Sequence, residues 1–131
     1  MTATYLLIGL GSALGGISRA VVTTWMTARF AGNFPTGTLL VNATGALAIG
    51  FCAALLEPQG RFSNSEQWRS LLVTGFLGGY TTFSAFSLQT FSLLEEGRYV
   101  IAAGYAVGSV LLCLAGVWIG QLAYGRFSAV S

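Results

Sequence analysis

The chain contains no lysine, no aspartate and no histidine. Six arginines and four glutamates are its whole charge complement, 8% of 131 residues, against roughly 25% in an ordinary soluble domain. Too little charge is present to clothe a water-facing surface. Without histidine or paired carboxylates there is no general base, no acid pair and no metal-ligand cluster, so enzymatic chemistry has no foothold. A net charge of +2 scattered over single arginines is not the basic patch that a nucleic-acid partner requires. Disorder is excluded by a hydrophobic share of 54%. The two cysteines, Cys52 and Cys113, stand in apolar runs outside any CxxC pair, which makes them small packing residues rather than a disulfide or thiolate site.

What is present is apolar sequence in long uncharged runs: 1–18, 30–56, 70–94 and 99–125. A helix needs about 20 apolar residues to cross the hydrocarbon core. The runs predict four spans at about 4–27, 36–56, 70–94 and 100–123, in a single all-α integral membrane domain covering 1–131. The first span lacks the basic n-region of a secretory signal peptide. Tyr5, Trp25, Trp68, Tyr99 and Tyr124 fall at span ends, where interfacial aromatics belong. The one long loop is about 57–69, with Pro58, Gly60 and Asn64 as breakers. Four helices enclose few residues around a path, so the lipid bilayer and further copies of the chain are the expected partners.

Glycine is abundant, at 18 residues. Gly11-xxx-Gly15, Gly75-xxx-Gly79, Gly104-xxx-Gly108 and Gly116-xxx-Gly120 repeat the spacing that lets helix backbones approach closely in lipid. The arginines are divided almost evenly. Arg61, Arg69 and Arg126 lie on the side of the termini; Arg29 and Arg98 lie opposite, with Arg19 deeper on that side. The positive-inside rule needs an excess to fix orientation. Its absence predicts dual topology, with the chain inserting both ways and pairing with an inverted copy.

The four glutamates, Glu57, Glu66, Glu95 and Glu96, keep to span ends and loops. Coupled carriers place an acid within the membrane, so a small multidrug-type proton-coupled exporter is the alternative that this distribution disfavours. Polar content concentrates instead in two spans. Thr38 and Asn42 are four residues apart on one face of the second; an intramembrane Asn either bonds helix to helix or faces water. In the third, Gly78-Gly79-Tyr80-Thr81-Thr82 makes a poor helix centre. It reads either as a kinked, packed helix or as a mid-membrane break whose carbonyls can hold a cation. Phe83 and Phe86 share a face three residues apart. Their ring edges carry partial positive charge, which suits an anion as well as a packed core.

The run Gly75-Phe-Leu-Gly-Gly-Tyr-Thr-Thr-Phe-Ser-Ala-Phe-Ser87, with Gly15-Gly16-Ile17-Ser18-Arg19 and Gly37-Thr38-Leu39-Leu40-Val41-Asn42, resembles the signature of the Fluc/CrcB fluoride channel family. The resemblance covers the whole chain. It implies a fluoride-selective passive channel in the bacterial plasma (inner) membrane that exports fluoride and relieves its toxicity. It implies an antiparallel dual-topology homodimer with two pathways, each using Asn42, Phe83 and Phe86. Thr38, Thr82, Ser84, Tyr105 and Ser109 would be further polar groups along each pathway, and Arg19 would lie near the aqueous vestibule. A structural sodium ion at the dyad would be held by the backbone carbonyls of Gly78 and Thr81. The chain departs from the family's common residues at Ala85 (Thr), Gln89 (Glu) and Cys113 (Ser), which predicts altered conductance rather than lost function.

Overall fold

The computed structural model describes residues 2–30, 32, 34–56 and 66–130, the last four by backbone alone. Glu57, Arg61 and the loop breakers Pro58, Gly60 and Asn64 lie outside the described residues. The chain is all-helical there. Helix α1 is Thr2–Arg29 and α2 is Thr36–Leu55. Helix α3, residues 66–80, opens as α-helix Glu66–Trp68, is π-wound over Arg69–Leu77 and closes as α-helix Gly78–Tyr80. Helix α4 is Phe83–Glu95 and α5 is Tyr99–Val130. Four stretches are long and apolar enough to cross a membrane: Thr2–Arg29, Thr36–Leu55, Glu66–Glu95 and Tyr99–Arg126.

The helices pair through glycine. A Cβ on Gly11 or Gly15 would run into the backbone of Leu71, Phe76 and Tyr80, and one on Gly79 into the backbone of Ser12. The first two small-residue repeats therefore face each other and seat α3 on α1. Gly116 and Gly120 lie against Ala43, Leu47 and Phe51 of α2, while Gly50 faces Val117, which seats α2 on α5. Lipid gives no hydrophobic drive for helices to associate, so this close backbone contact supplies cohesion. The third repeat behaves differently: a Cβ on Gly104 or Gly108 meets nothing within 4 Å, so that stripe faces no other helix among the described residues.

Several hydroxyls in and at the ends of the helices are satisfied locally. Thr23, Thr27, Thr44, Thr81, Ser87 and Thr90 each donate to the carbonyl four residues back, at 2.7–2.9 Å, which removes the need for water at membrane depth. The turn from α4 to α5 is set by Gly97, whose φ of 73° only glycine adopts easily. Its N–H reaches the Leu94 carbonyl and that of Arg98 reaches Leu93, the paired bonds of a Schellman stop. Arg98 and Glu96 form an ion pair at 3.2 Å on this turn. Tyr5, Trp25, Trp68 and Tyr99 stand exposed at helix ends. Tyr124 meets Phe51 edge-on at 5.9 Å.

Candidate functional site

Helices α3 and α4 are separated by two residues in extended conformation: Thr81 (φ −82°, ψ 158°) and Thr82 (φ −153°, ψ 118°). Every backbone group released there must find another partner. The Thr82 N–H would have served the Gly78 carbonyl in a continuous helix; it donates instead to Asn42 Oδ1 at 2.8 Å. Asn42 Nδ2 donates back to the Thr82 carbonyl at 3.0 Å. The Asn42 amide thus imitates a strand neighbour and clamps one peptide unit of the third span to α2. The Ala85 N–H, which would have served the Thr81 carbonyl, is taken by Thr82 Oγ1 at 3.2 Å. Thr82 is thereby the N-cap of α4, and its hydroxyl also pairs with Ser84 Oγ at 3.2 Å.

The carbonyls of Gly78 and Thr81 are among those left without their helical donors. The Gly78 carbonyl is on an exposed residue. The Thr81 carbonyl has Arg19 Nη1 at 3.5 Å. Arg19 itself is half-buried, so its guanidinium reaches inward to the interruption. Gly45 makes the approach of α2 possible, since a Cβ there would strike the Thr81 methyl and lie 3.3 Å from the Tyr80 ring. Thr44 and Tyr80 hydroxyls meet at 3.1 Å beside it.

The aromatic residues continue from this point. Phe83 and Phe86 have ring centroids 5.3 Å apart at 45°. Phe83 is 76% exposed in the single chain, and Phe86 leans on Tyr105 at 5.2 Å. Tyr105 is fully buried and meets Phe34 in a T-shaped contact at 5.5 Å. Its hydroxyl donates to Gln89 Oε1 at 3.0 Å, and the Thr38 side chain lies beside it. Gln89 borders a polar hollow of about 260 Å³ near the α4–α5 turn, with Thr27, Ser92 and Glu96.

Two clefts flank Phe83. One, of about 270 Å³, is lined by Asn42, Gly45, Thr81, Thr82 and Cys113 among others. The second, of about 240 Å³, is lined by Asn42, Phe83, Phe86, Ser109 and Cys113 with apolar neighbours. Ser109 is 5% exposed, and its hydroxyl has no hydrogen-bond partner among the described residues. A buried polar atom without a partner points to an occupant that supplies one.

The structure therefore brings Asn42, Thr82, Ser84, Phe83, Phe86 and Ser109 together, with Thr38 and Tyr105 beyond Phe86 and Arg19 behind the interruption. The Thr82 cap, the Thr44–Tyr80 pair and the Gln89 acceptor were missed in the sequence. A Thr just before the run Phe83-Ser84-Ala85-Phe86 was the available signal for the cap. No group of His, Cys, Asp or Glu among the described residues could hold a metal. The freed carbonyls of Gly78 and Thr81 are hard oxygen donors of the kind that hold alkali cations at interrupted helices.

This arrangement can be set beside known proteins. The family model described as CrcB-like protein, Camphor Resistance (CrcB), matches residues 6–121. The chain belongs to the CrcB family. Curated relatives are similar along nearly their whole length. The fluoride-specific ion channel FluC of Opitutus terrae is 46% identical over 119 residues, covering 91% of this chain and 90% of the relative. That of Coxiella burnetii is 50% identical, covering 89% and 94%. FluC 1 of Bradyrhizobium diazoefficiens is 43% identical, covering 95% and 86%. Like the rest of the CrcB family, the chain is a multi-pass membrane protein.

Proposed function

We propose that the chain is a fluoride-selective passive channel that lets fluoride leave the cytoplasm. One observation carries the reading: a line of neutral donors runs from the unpartnered Ser109 hydroxyl past Asn42 and the Phe83–Phe86 pair to Tyr105. The names of the relatives, fluoride-specific ion channels, agree with it.

Fluoride is small and strongly hydrated, so leaving water demands close donors. Asn42 spends one amide hydrogen on the Thr82 carbonyl and keeps a second, and the residue borders both clefts. Phe83 and Phe86 offer ring edges with partial positive charge. Thr38, Thr82 and Ser84 add hydroxyls. None of these groups carries a full charge, so the anion can be held and still leave. A cell-negative interior favours outward anion movement by about 2.3 kcal/mol per 100 mV, and no coupling ion is required.

The proposal includes an antiparallel homodimer with two pathways, in which the third span is broken at membrane depth. The open Gly104–Gly108 stripe and the exposed Phe83 give room for another helix. Gly78 and Thr81 carbonyls from both subunits would hold a structural sodium ion, which would supply positive potential near the path. Arg19 adds positive potential from behind the same residues.

The deciding experiment is fluoride efflux from liposomes containing only this protein. Fluoride is expected to leave when a potassium ionophore balances charge, and chloride is expected to stay. No efflux, or equal passage of chloride, overturns the reading.

A further inference from the structure

The turn from α4 to α5 brings two opposite charges together beside the polar hollow. In a continuous helix, side chains two positions apart do not face each other. Gly97, at φ 73°, turns the chain, and Arg98 Nη1 then reaches Glu96 Oε2 at 3.2 Å. The side chains of Arg98 and Glu96 remain 28% and 50% exposed, and an ion pair so placed contributes little to stability. Its position says more. Glu96 lines the hollow of about 260 Å³, and so does Gln89, whose Oε1 accepts from the Tyr105 hydroxyl. The hollow therefore adjoins the end of the donor line at Tyr105. Among the described residues that line it, Glu96 is the one with a charge. Glu96 also caps the C-terminus of α4, the negative end of the helix dipole. An anion in the hollow meets like charge unless a cation offsets it.

We propose that this hollow is a mouth of the anion path and that Arg98 sets the rate of entry by offsetting Glu96. The inference rests on the channel reading above. Charge at the mouth of a cleft raises or lowers the local concentration of an ion and hence its entry, and salt screens the effect. Arg98 does not itself line the hollow, so it is a positioning residue that acts through Glu96. Arg29, two residues beyond Thr27 in α1, and Glu95, next to Glu96, are exposed and do not line it either. The balance at the wall of the hollow is thus held by the Glu96–Arg98 pair.

The test measures the unit fluoride conductance of the whole protein in planar lipid bilayers at low fluoride. Entry then limits the current, and the amount of folded protein does not affect it. Ionic strength is set with sodium gluconate. Arg98→Gln is expected to lower unit conductance about two- to fivefold at about 10 mM, where the Debye length is about 30 Å, and far less at about 1 M, where it is about 3 Å. Glu96→Gln is expected to raise conductance at low ionic strength, and the double variant to return close to wild type. Unchanged conductance in Arg98→Gln overturns the proposal, as does Glu96→Gln without a rise. So does a double variant that conducts as poorly as Arg98→Gln, or a deficit that persists at high ionic strength, since a merely structural role would give both. If wild type carries no fluoride current, the channel reading falls and this proposal falls with it. If wild type conducts, the charge series judges this proposal alone.

Discussion

Asn42 shows how one side chain can hold a local structure that its own segment cannot. Its amide makes two hydrogen bonds to the backbone of Thr82, at 2.8 and 3.0 Å. Asn42→Asp keeps the shape and the acceptor but replaces the donor with an oxygen facing the Thr82 carbonyl. The expected cost is about 1–3 kcal/mol for a buried polar group left unsatisfied, seen as a lower unfolding midpoint, together with loss of fluoride efflux. Thr82→Ala removes the α4 cap and is expected to cost about 1 kcal/mol. Phe83→Ile should behave otherwise: the ring is exposed in the subunit, so the midpoint should hold while efflux falls. Unchanged efflux in both Asn42→Asp and Phe83→Ile would remove these residues from the path. The residue types of this site were legible because Asn, Thr and Ser are expensive in apolar spans. The Asn42–Thr82 clamp was not, since the two positions are forty residues apart and nothing local couples them.

At the level of whole helices, glycine spacing predicted four close faces, and three of them pack against other helices of the chain. Gly11 with Gly15 meets α3, Gly75 with Gly79 meets α1, and Gly116 with Gly120 meets α2. Periodicity reveals that a face is smooth but not what lies against it. Gly79→Val sets a branched side chain against the Ser12 backbone, and overpacking of this kind costs about 1–3 kcal/mol, measurable by thermal unfolding in detergent. Gly104→Leu is expected to leave the subunit's own helix packing intact, because nothing within 4 Å opposes a Cβ there. If the stripe seats a second copy, the same change lowers the dimer fraction in native mass spectrometry. An unaltered dimer would place the partner elsewhere.

For the molecule as a whole, orientation is governed by few charges. With four spans, Arg61, Arg69 and Arg126 would lie on the side of the termini and Arg29 and Arg98 on the other, with Arg19 deeper on that side, so the expected excess is at most one arginine. Reporter fusions at the C-terminus are expected to find both orientations, and arginines added to one side should shift the mixture towards one. A wild-type chain found in a single orientation would overturn dual topology. The same scarcity of charge bears on transport: Glu66, Glu95 and Glu96 stay at helix ends, which leaves an anion to be met by neutral donors.

Composition and hydropathy determined by themselves that this is a membrane protein of four helices, because hydrocarbon tolerates only backbone that satisfies itself, and length then counts the spans. The signature run and its neighbours determined the family. Tertiary structure alone decided which carbonyls the α3–α4 interruption releases, that Asn42 holds it, that Arg19 turns towards Thr81, and that Ser109 is left without a partner beside Cys113. The physical reason is that partition into lipid is a property of each segment, summed along the chain. A hydrogen bond or a cleft depends instead on which residues of different helices meet, and that is settled only when the glycine faces have packed.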